Sequence, residues 1–219
     1  MSDIQQHINQ LFTAELQFRL ASAVRLATSR NAQPLDLPTE WSHGAHTVTY
    51  EEIALRPEQA DYAACFLHKS ATFLMAVAIR NAIRAVVSEP KSSTDRNIVA
   101  AYQIARLIRN AFTHSPFTPI WSIDPDCRHK IFSIPNIISL DTSDLDGKIF
   151  DWRDYGGPLA LFRLCRFVRQ HILKDPMFPR AQVPVSRTGI YQQGNLVMTQ
   201  RNRASTQESM EEQREQMQN

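Results

Sequence analysis

The sequence predicts a mainly α protein: a bundle of about four long helices, a small β-ribbon inserted before the last helix, and a polar, flexible C-terminal tail. Three observations predict it. Apolar residues recur at helical spacing in four stretches separated by proline or glycine. Residues 118–152 change to short runs rich in Ile, Phe and Trp, parted by aspartate-containing turns. From residue 175 onward large apolar side chains are few, and five basic residues balance five acidic ones. The domain reading is therefore 1–175 for the helical domain, with 118–152 as its insertion, and 176–219 for the tail.

The first helix is expected over Ser2–Arg30. Phe12, Leu16, Leu20 and Val24 recur every four residues, joined by Leu11 and Leu26. Residues 31–57 hold Pro34, Pro38, Gly44 and Pro57 and read as a loop, with a short extended piece at Thr47–Tyr50. A long second helix begins near Glu58, just after Pro57, and runs to about Ser88 before Pro90. Tyr62, Phe66, Phe73, Val77 and Ile83 mark its apolar side, widened by Leu67, Leu74 and Ile79, so most of it is expected to be buried.

Ser92, with Asp95 three residues on, imitates a capping box for a third helix that ends near His114, before Pro116. Ile98, Ala101, Ala105, Ile108 and Phe112 form its stripe. Pro119–Ile123, Lys130–Leu140 and Lys148–Trp152 read as strands, the middle one bent or at an edge because of Pro135. Gly156-Gly157-Pro158 opens the last helix, Leu159–Lys174, with Leu161, Leu164, Cys165, Val168 and Ile172 facing inward.

Composition sets the outer bounds. The chain has 219 residues, 43% hydrophobic and 21% charged, with a formal charge of +2. That is an ordinary soluble composition, and net charge alone does not point to nucleic acid. Cys65, Cys127 and Cys165 lie far apart without a C-x-x-C pair, which argues against a disulfide framework or zinc ribbon and for a reducing cytoplasm. The N-terminus lacks the basic and apolar regions of a signal peptide. The greasiest run, Ala71–Ile79, is far short of the roughly 20 residues of a membrane span and reads as the buried middle of a helix.

The most informative segment closes the third helix: Arg106-Leu107-Ile108-Arg109-Asn110-Ala111-Phe112-Thr113-His114. Asn110 and His114 are an i,i+4 pair, as are Arg109 and Thr113, and Arg106 sits one turn earlier. Arginine offers a cationic fork to phosphate oxygens. Histidine exchanges a proton near neutral pH, and asparagine can hold an imidazole tautomer or a ligand oxygen. Together they suit metal-free phosphodiester cleavage. Arg109 and His114 stand about 140° apart on an ideal helix, so they converge on one phosphate only at a helix end or with a second protomer. The plainer reading is a solvated helix end with a capping histidine.

Arg109-Asn110-x-x-x-His114 resembles the R-N-x-x-x-H form of the signature of the HEPN superfamily, the higher-eukaryote and prokaryote nucleotide-binding domains. The resemblance covers about residues 1–175 and implies a HEPN-like bundle. In active members two protomers pair and cut RNA without a metal, leaving a 2′,3′-cyclic phosphate. It implies a toxin or phage-defence ribonuclease with His114 as acid/base, Arg109 on the phosphate charge and Asn110 as orienting group. RNA, a second copy of the chain, and an antitoxin or other protein are the implied partners, with no cofactor, metal or membrane. The alternative is a catalytically inactive module that binds nucleotide, RNA or protein.

Arg-Asn dipeptides also occur at Arg30, Arg80, Arg96 and Arg201, but only the Arg109 copy carries the histidine. Arg166 and His171 repeat the arginine–histidine spacing without the asparagine. The last helix presents Arg163, Arg166, Arg169, His171 and Lys174 with no acid before Asp175, either a phosphate-contacting patch, to which Arg106 and Thr113 would add, or a solvated basic face. His43 and His46 read as loop histidines, and Asp141, Asp144 and Asp146 as turn residues. His68 reads as a partly buried histidine. Tyr102, Trp121, Phe132, Trp152 and Tyr155 are candidates for base stacking but more naturally build core. The absence of both phosphate-binding glycine motifs removes support for NTP-driven chemistry and a dinucleotide cofactor.

Overall fold

A computed structural model describes residues 3–29, 40–49, 55–113 and 115–175. The chain falls into two units, Met1–Asp175 and Pro176–Asn219. The predicted tail and His114 lie outside the described residues. Among the described residues the first unit is mainly helical, with four α-helices and two small hairpins.

Helix α1 spans Asp3–Ser29, and α2 spans Ala60–Val86 behind a single 3-10 turn at Pro57–Gln59. The two pack against each other along most of their length. The face α1 buries is Ile8, Leu11, Ala14, Glu15, Phe18 and Ala21. The predicted stripe is therefore rotated: Phe12, Leu16 and Leu20 are 45%, 46% and 65% exposed. The buried face alternates small and large residues, Ala14 and Ala21 among Ile8, Leu11 and Phe18, and Glu15 is buried with them through its pair with Arg169.

The same rule corrects α2. Its buried line is Ala64, Ala71, Thr72, Met75, Ala76, Ile79, Ala82 and Ile83, while Tyr62, Leu67 and Leu74 are exposed. Only part of the helix is buried, against the expectation that most would be. Among the described residues α2 alone is long and apolar enough to cross a membrane. Its small-residue line instead receives α1 and α3, and the run Ala71–Ile79 is the middle of a bundle helix, as predicted.

Helix α3, Arg96–Thr113, is the true centre. Ten of its residues are buried, from Ala100 to Phe112. Its cap is Asp95 rather than Ser92: Asp95 Oδ1 accepts from the Asn97 amide at 2.8 Å, while Ser92 closes a separate 3-10 turn at Pro90–Ser92. Helix α4 spans Pro158–Phe167 and continues as a five-residue π-helical turn, Val168–Ile172. Gly156 and Gly157 precede it at φ +94° and +88°, a backbone that favours glycine, and Pro158 takes the first helical position.

Two hairpins form among the described residues, one of them within the predicted ribbon. Strands β1 (Glu40–His43) and β2 (His46–Thr49) pair antiparallel around Gly44 at φ +62°, in a segment read mostly as loop. Strands β3 (Ile131–Ile134) and β4 (Ile138–Asp141) pair antiparallel, so Lys130–Leu140 is a hairpin rather than one bent strand. Pro135 sits in its turn, and Asn136 supplies the left-handed residue at φ +61°. The flanking segments meet in one bridge, Ile120 with Ile149.

The insertion is part of the core. Ring centroids step from Phe73 on α2 to Phe112 on α3 at 6.0 Å, then to Phe150 at 4.9 Å. From Phe150 they continue to Trp121 at 4.9 Å and Tyr155 at 5.9 Å. Tyr102, Phe132, Trp121 and Tyr155 are buried core, as the sequence suggested, whereas Trp152 is half exposed.

His68 on α2 lies against Phe18 of α1, ring centroids 5.3 Å apart. Burial, and then the Arg25 charge, hold its pKa below the ordinary value of 6.5. The unfolded chain therefore takes up a proton that the folded one refuses. The folded form keeps its advantage above the ordinary value and loses it as the pH falls below it. Urea midpoints of the wild type are expected to drop between about pH 7 and pH 5, and less so in His68→Gln. Parallel curves for the two proteins would remove His68 from the account.

Candidate functional site

Arg106, Arg109, Asn110 and Thr113 lie on the last turns of α3, whose burial fixes their backbone. Leu107, Ile108, Ala111 and Phe112 face the core and leave Arg106, Arg109, Asn110 and Thr113 on one edge. The insertion closes over that edge.

Arg106 is clamped from several sides. Its Nη1 donates to Gln103 Oε1 at 2.9 Å and to Asp126 Oδ2 at 3.0 Å. Its Nη2 donates to Asp126 Oδ1 at 2.9 Å and also to the Asp124 carboxylate. Lys91 Nζ reaches Asp126 Oδ2 at 2.9 Å. Hydrogen bonding to Asp126 raises the Arg106 pKa above its already high value, and the same bond, with Lys91, holds Asp126 well below the usual carboxylate range. With its side chain only 11% exposed, Arg106 joins α3 to the insertion and does not present its fork to a phosphate. This corrects its sequence assignment as an RNA contact.

Asp124 also organises the motif itself. Asn110 Nδ2 donates to Asp124 Oδ2 at 2.9 Å, and Arg109 Nη1 donates to Asn110 Oδ1 at 3.1 Å. The chain Asp124–Asn110–Arg109 thus turns the amide and steers the guanidinium. Thr113 is exposed and its hydroxyl donates back to the Arg109 carbonyl at 3.0 Å. Arg109, Asn110 and Thr113 are together at the helix end, as the sequence placed them.

The basic patch on the last helix divides. Arg163 and Lys174 are exposed, and exposed Arg166 lies over the Phe162 ring at 5.8 Å. Arg169 is not on the patch. It is buried, donating through Nη1 to Glu15 Oε2 at 2.6 Å and through Nη2 and Nε to Asp175 Oδ2 at 2.8 and 3.1 Å. Its guanidinium is committed to the core, so the RNA-contact assignment of Arg169 is also corrected. Lys174 at φ +51° reverses the chain so that Asp175 returns to Arg169.

The lesser candidates resolve simply. His43 and His46 are cross-strand partners, and among the described residues no three His, Cys, Asp or Glu side chains gather as a metal-binding cluster. Cys165 is buried, as its inward assignment on the last helix expected, and Cys65 is partly buried. Cys127 lies in a 3-10 turn and is also buried. Burial, and then the Asp126 charge, push its thiol up to about 11, away from nucleophilic use. Asp141 accepts from the Ser143 amide and hydroxyl, which is turn chemistry. Asp146 caps the Ile123 amide and pairs with Arg128.

Sequence reasoning missed Asp124 and Asp126, which it read only as turn residues. It also missed a row of three rings whose outer members are exposed: Tyr62 and Phe66 had been assigned inward, and Phe117 had no assignment.

No protein-family model matches this chain, and neither a curated protein nor a solved structure shows significant similarity to it.

Proposed function

We propose that this chain is a metal-independent endoribonuclease of HEPN type that works as a cytoplasmic dimer, in a toxin or phage-defence setting. The observation that carries the reading is the Asp124–Asn110–Arg109 relay. A guanidinium steered through a hydrogen-bonded amide, at the end of a buried helix and five residues before His114, is a preorganised hydrogen-bond donor to an anion.

In the proposed step His114 takes the proton of an RNA 2′-hydroxyl. The 2′-oxygen attacks the adjacent phosphorus, the bond from phosphorus to the 5′-oxygen breaks, and the 5′-oxygen takes up a proton from water while His114 returns its own to solvent. The product ends are a 2′,3′-cyclic phosphate and a 5′-hydroxyl. Arg109 offsets the extra charge on the phosphate oxygens. Asn110 orients Arg109, which makes it a positioning residue. Arg163, Arg166 and Lys174 remain as backbone contacts. The dimer and any antitoxin belong to this proposal, because they rest on the resemblance.

A specific observation favours the rival, an inactive module binding nucleotide, RNA or a protein. Two carboxylates, Asp124 and Asp126, sit beside the motif and consume Arg106. A negative edge opposes a phosphate unless Arg106 and Lys91 neutralise it.

RNA cleavage in EDTA by wild type and His114→Ala separates the two. Wild type is expected to cut and to leave cyclic phosphate ends, with the variant at least about 100-fold slower, the contribution of a general acid/base. A folded dimeric wild type that leaves varied RNAs intact would establish the inactive module instead.

A further inference from the structure

Three aromatic rings stand in a row near the motif. Tyr62 packs edge-on to Phe66, centroids 4.6 Å apart, and Phe66 packs edge-on to Phe117 at 5.6 Å. The outer two are open: Tyr62 is 70% exposed and Phe117 68%. Lys69 lies over the Phe66 ring at 5.0 Å, and its Nζ donates to the Phe117 carbonyl at 3.1 Å. That bond ties the loop after α3 to α2 and leaves further ammonium donors of Lys69 unused. Nearby acids are paired, Asp61 with Arg25 and Glu58 with Arg56. The row begins within reach of the motif: Phe117 is four residues from Thr113, at most about 14 Å of chain.

Large rings exposed to this degree at two ends of one cluster are costly in water. Their fixed spacing and the central ammonium match a strand of unpaired bases: π-faces for the bases, a cation for the backbone. A duplex hides its base faces and could not use them. We propose that Tyr62 and Phe117, held apart by Phe66 and with Lys69 as the cation between them, form a stacking platform that holds single-stranded RNA beside the Arg109–Thr113 end of α3. This deepens the ribonuclease reading and rests on it for the identity of the strand as RNA.

The test uses the full-length protein and two labelled probes of equal length: a single-stranded oligothymidylate and its abasic counterpart. Neither carries a 2′-hydroxyl, so binding is read without cleavage, and failure of the platform is distinguishable from failure of the nuclease. Fluorescence anisotropy is expected to show the base-bearing strand binding at least about fivefold tighter than the abasic one. Tyr62→Ala and Phe117→Ala should erase that difference, and Tyr62→Phe should keep it. Lys69→Ala should weaken both probes alike and lower the salt slope. Equal affinity for the two probes, or an unchanged preference in folded Tyr62→Ala, overturns the platform. So does a wild type that binds neither probe, which would make the rings a protein-contact face.

Discussion

Arg169→Ala is expected to lower the unfolding free energy by about 3–5 kcal/mol, the cost of breaking a buried ion pair from one side. The variant leaves Glu15 and Asp175, each 6% exposed, without the cation between them. These two carboxylates come from opposite ends of the folded unit, one on α1 and one just past the π-helical turn. Their mutual repulsion would peel the segment after the π-helical turn from α1. Arg169 also lies over the Phe12 ring at 5.2 Å, so the substitution removes packing as well as charge. Arg169→Lys should recover only part of the loss, because one ammonium lacks the fork that serves both acids. Adding Glu15→Gln and Asp175→Asn to Arg169→Met should recover much of it, since the stranded charges are gone. Urea unfolding followed by circular dichroism measures all three. A loss below about 1 kcal/mol for Arg169→Ala would mean that water reaches the cluster.

Trp121→Ala is expected to cost a similar 3–5 kcal/mol. Trp121 is 1% exposed, and its Nε1 donates to Asp154 Oδ2 at 2.7 Å. Its amide donates to the Lys148 carbonyl and its carbonyl accepts from Gly147, so it also closes the base of the insertion. Through Phe150 its ring continues the aromatic chain into α3. The loss should therefore reach the motif edge, where Asp124 holds Asn110 and Arg106. Hydrogen exchange should show faster exchange both in the insertion and at the end of α3. Trp121→Phe should fall between, keeping most of the ring but leaving Asp154 without its donor. Exchange that rises in the insertion alone would show that the bundle stands independently of it.

The ends of the elements were legible because their causes are local. Pro57, Pro90 and Gly156-Gly157-Pro158 act on their own backbone, and the helices begin or end beside them. The faces were less legible. On α1 the periodicity of large apolar residues pointed to Phe12, Leu16 and Leu20, but Ile8, Leu11 and Phe18 are buried instead, with alanine and Glu15 between them. Glu15 is buried only because Arg169, 154 residues away, meets it there. The β3–β4 hairpin had a readable signal, Pro135-Asn136, which was weighed only as an interruption.

By itself the sequence determined the mainly helical class, the four helical segments, the inserted ribbon, and the placing of Arg109, Asn110 and Thr113 together at one helix end. These follow from spacing within a turn or two of chain, where proline, glycine and periodicity act directly. The tertiary structure alone decided which charges are available. It sent Arg169 inward to Glu15 and Asp175, tied Arg106 to Asp124 and Asp126, and left Tyr62 and Phe117 in solvent. Charge pairing and burial depend on what the fold brings from far along the chain, and a side chain's type does not record its partner.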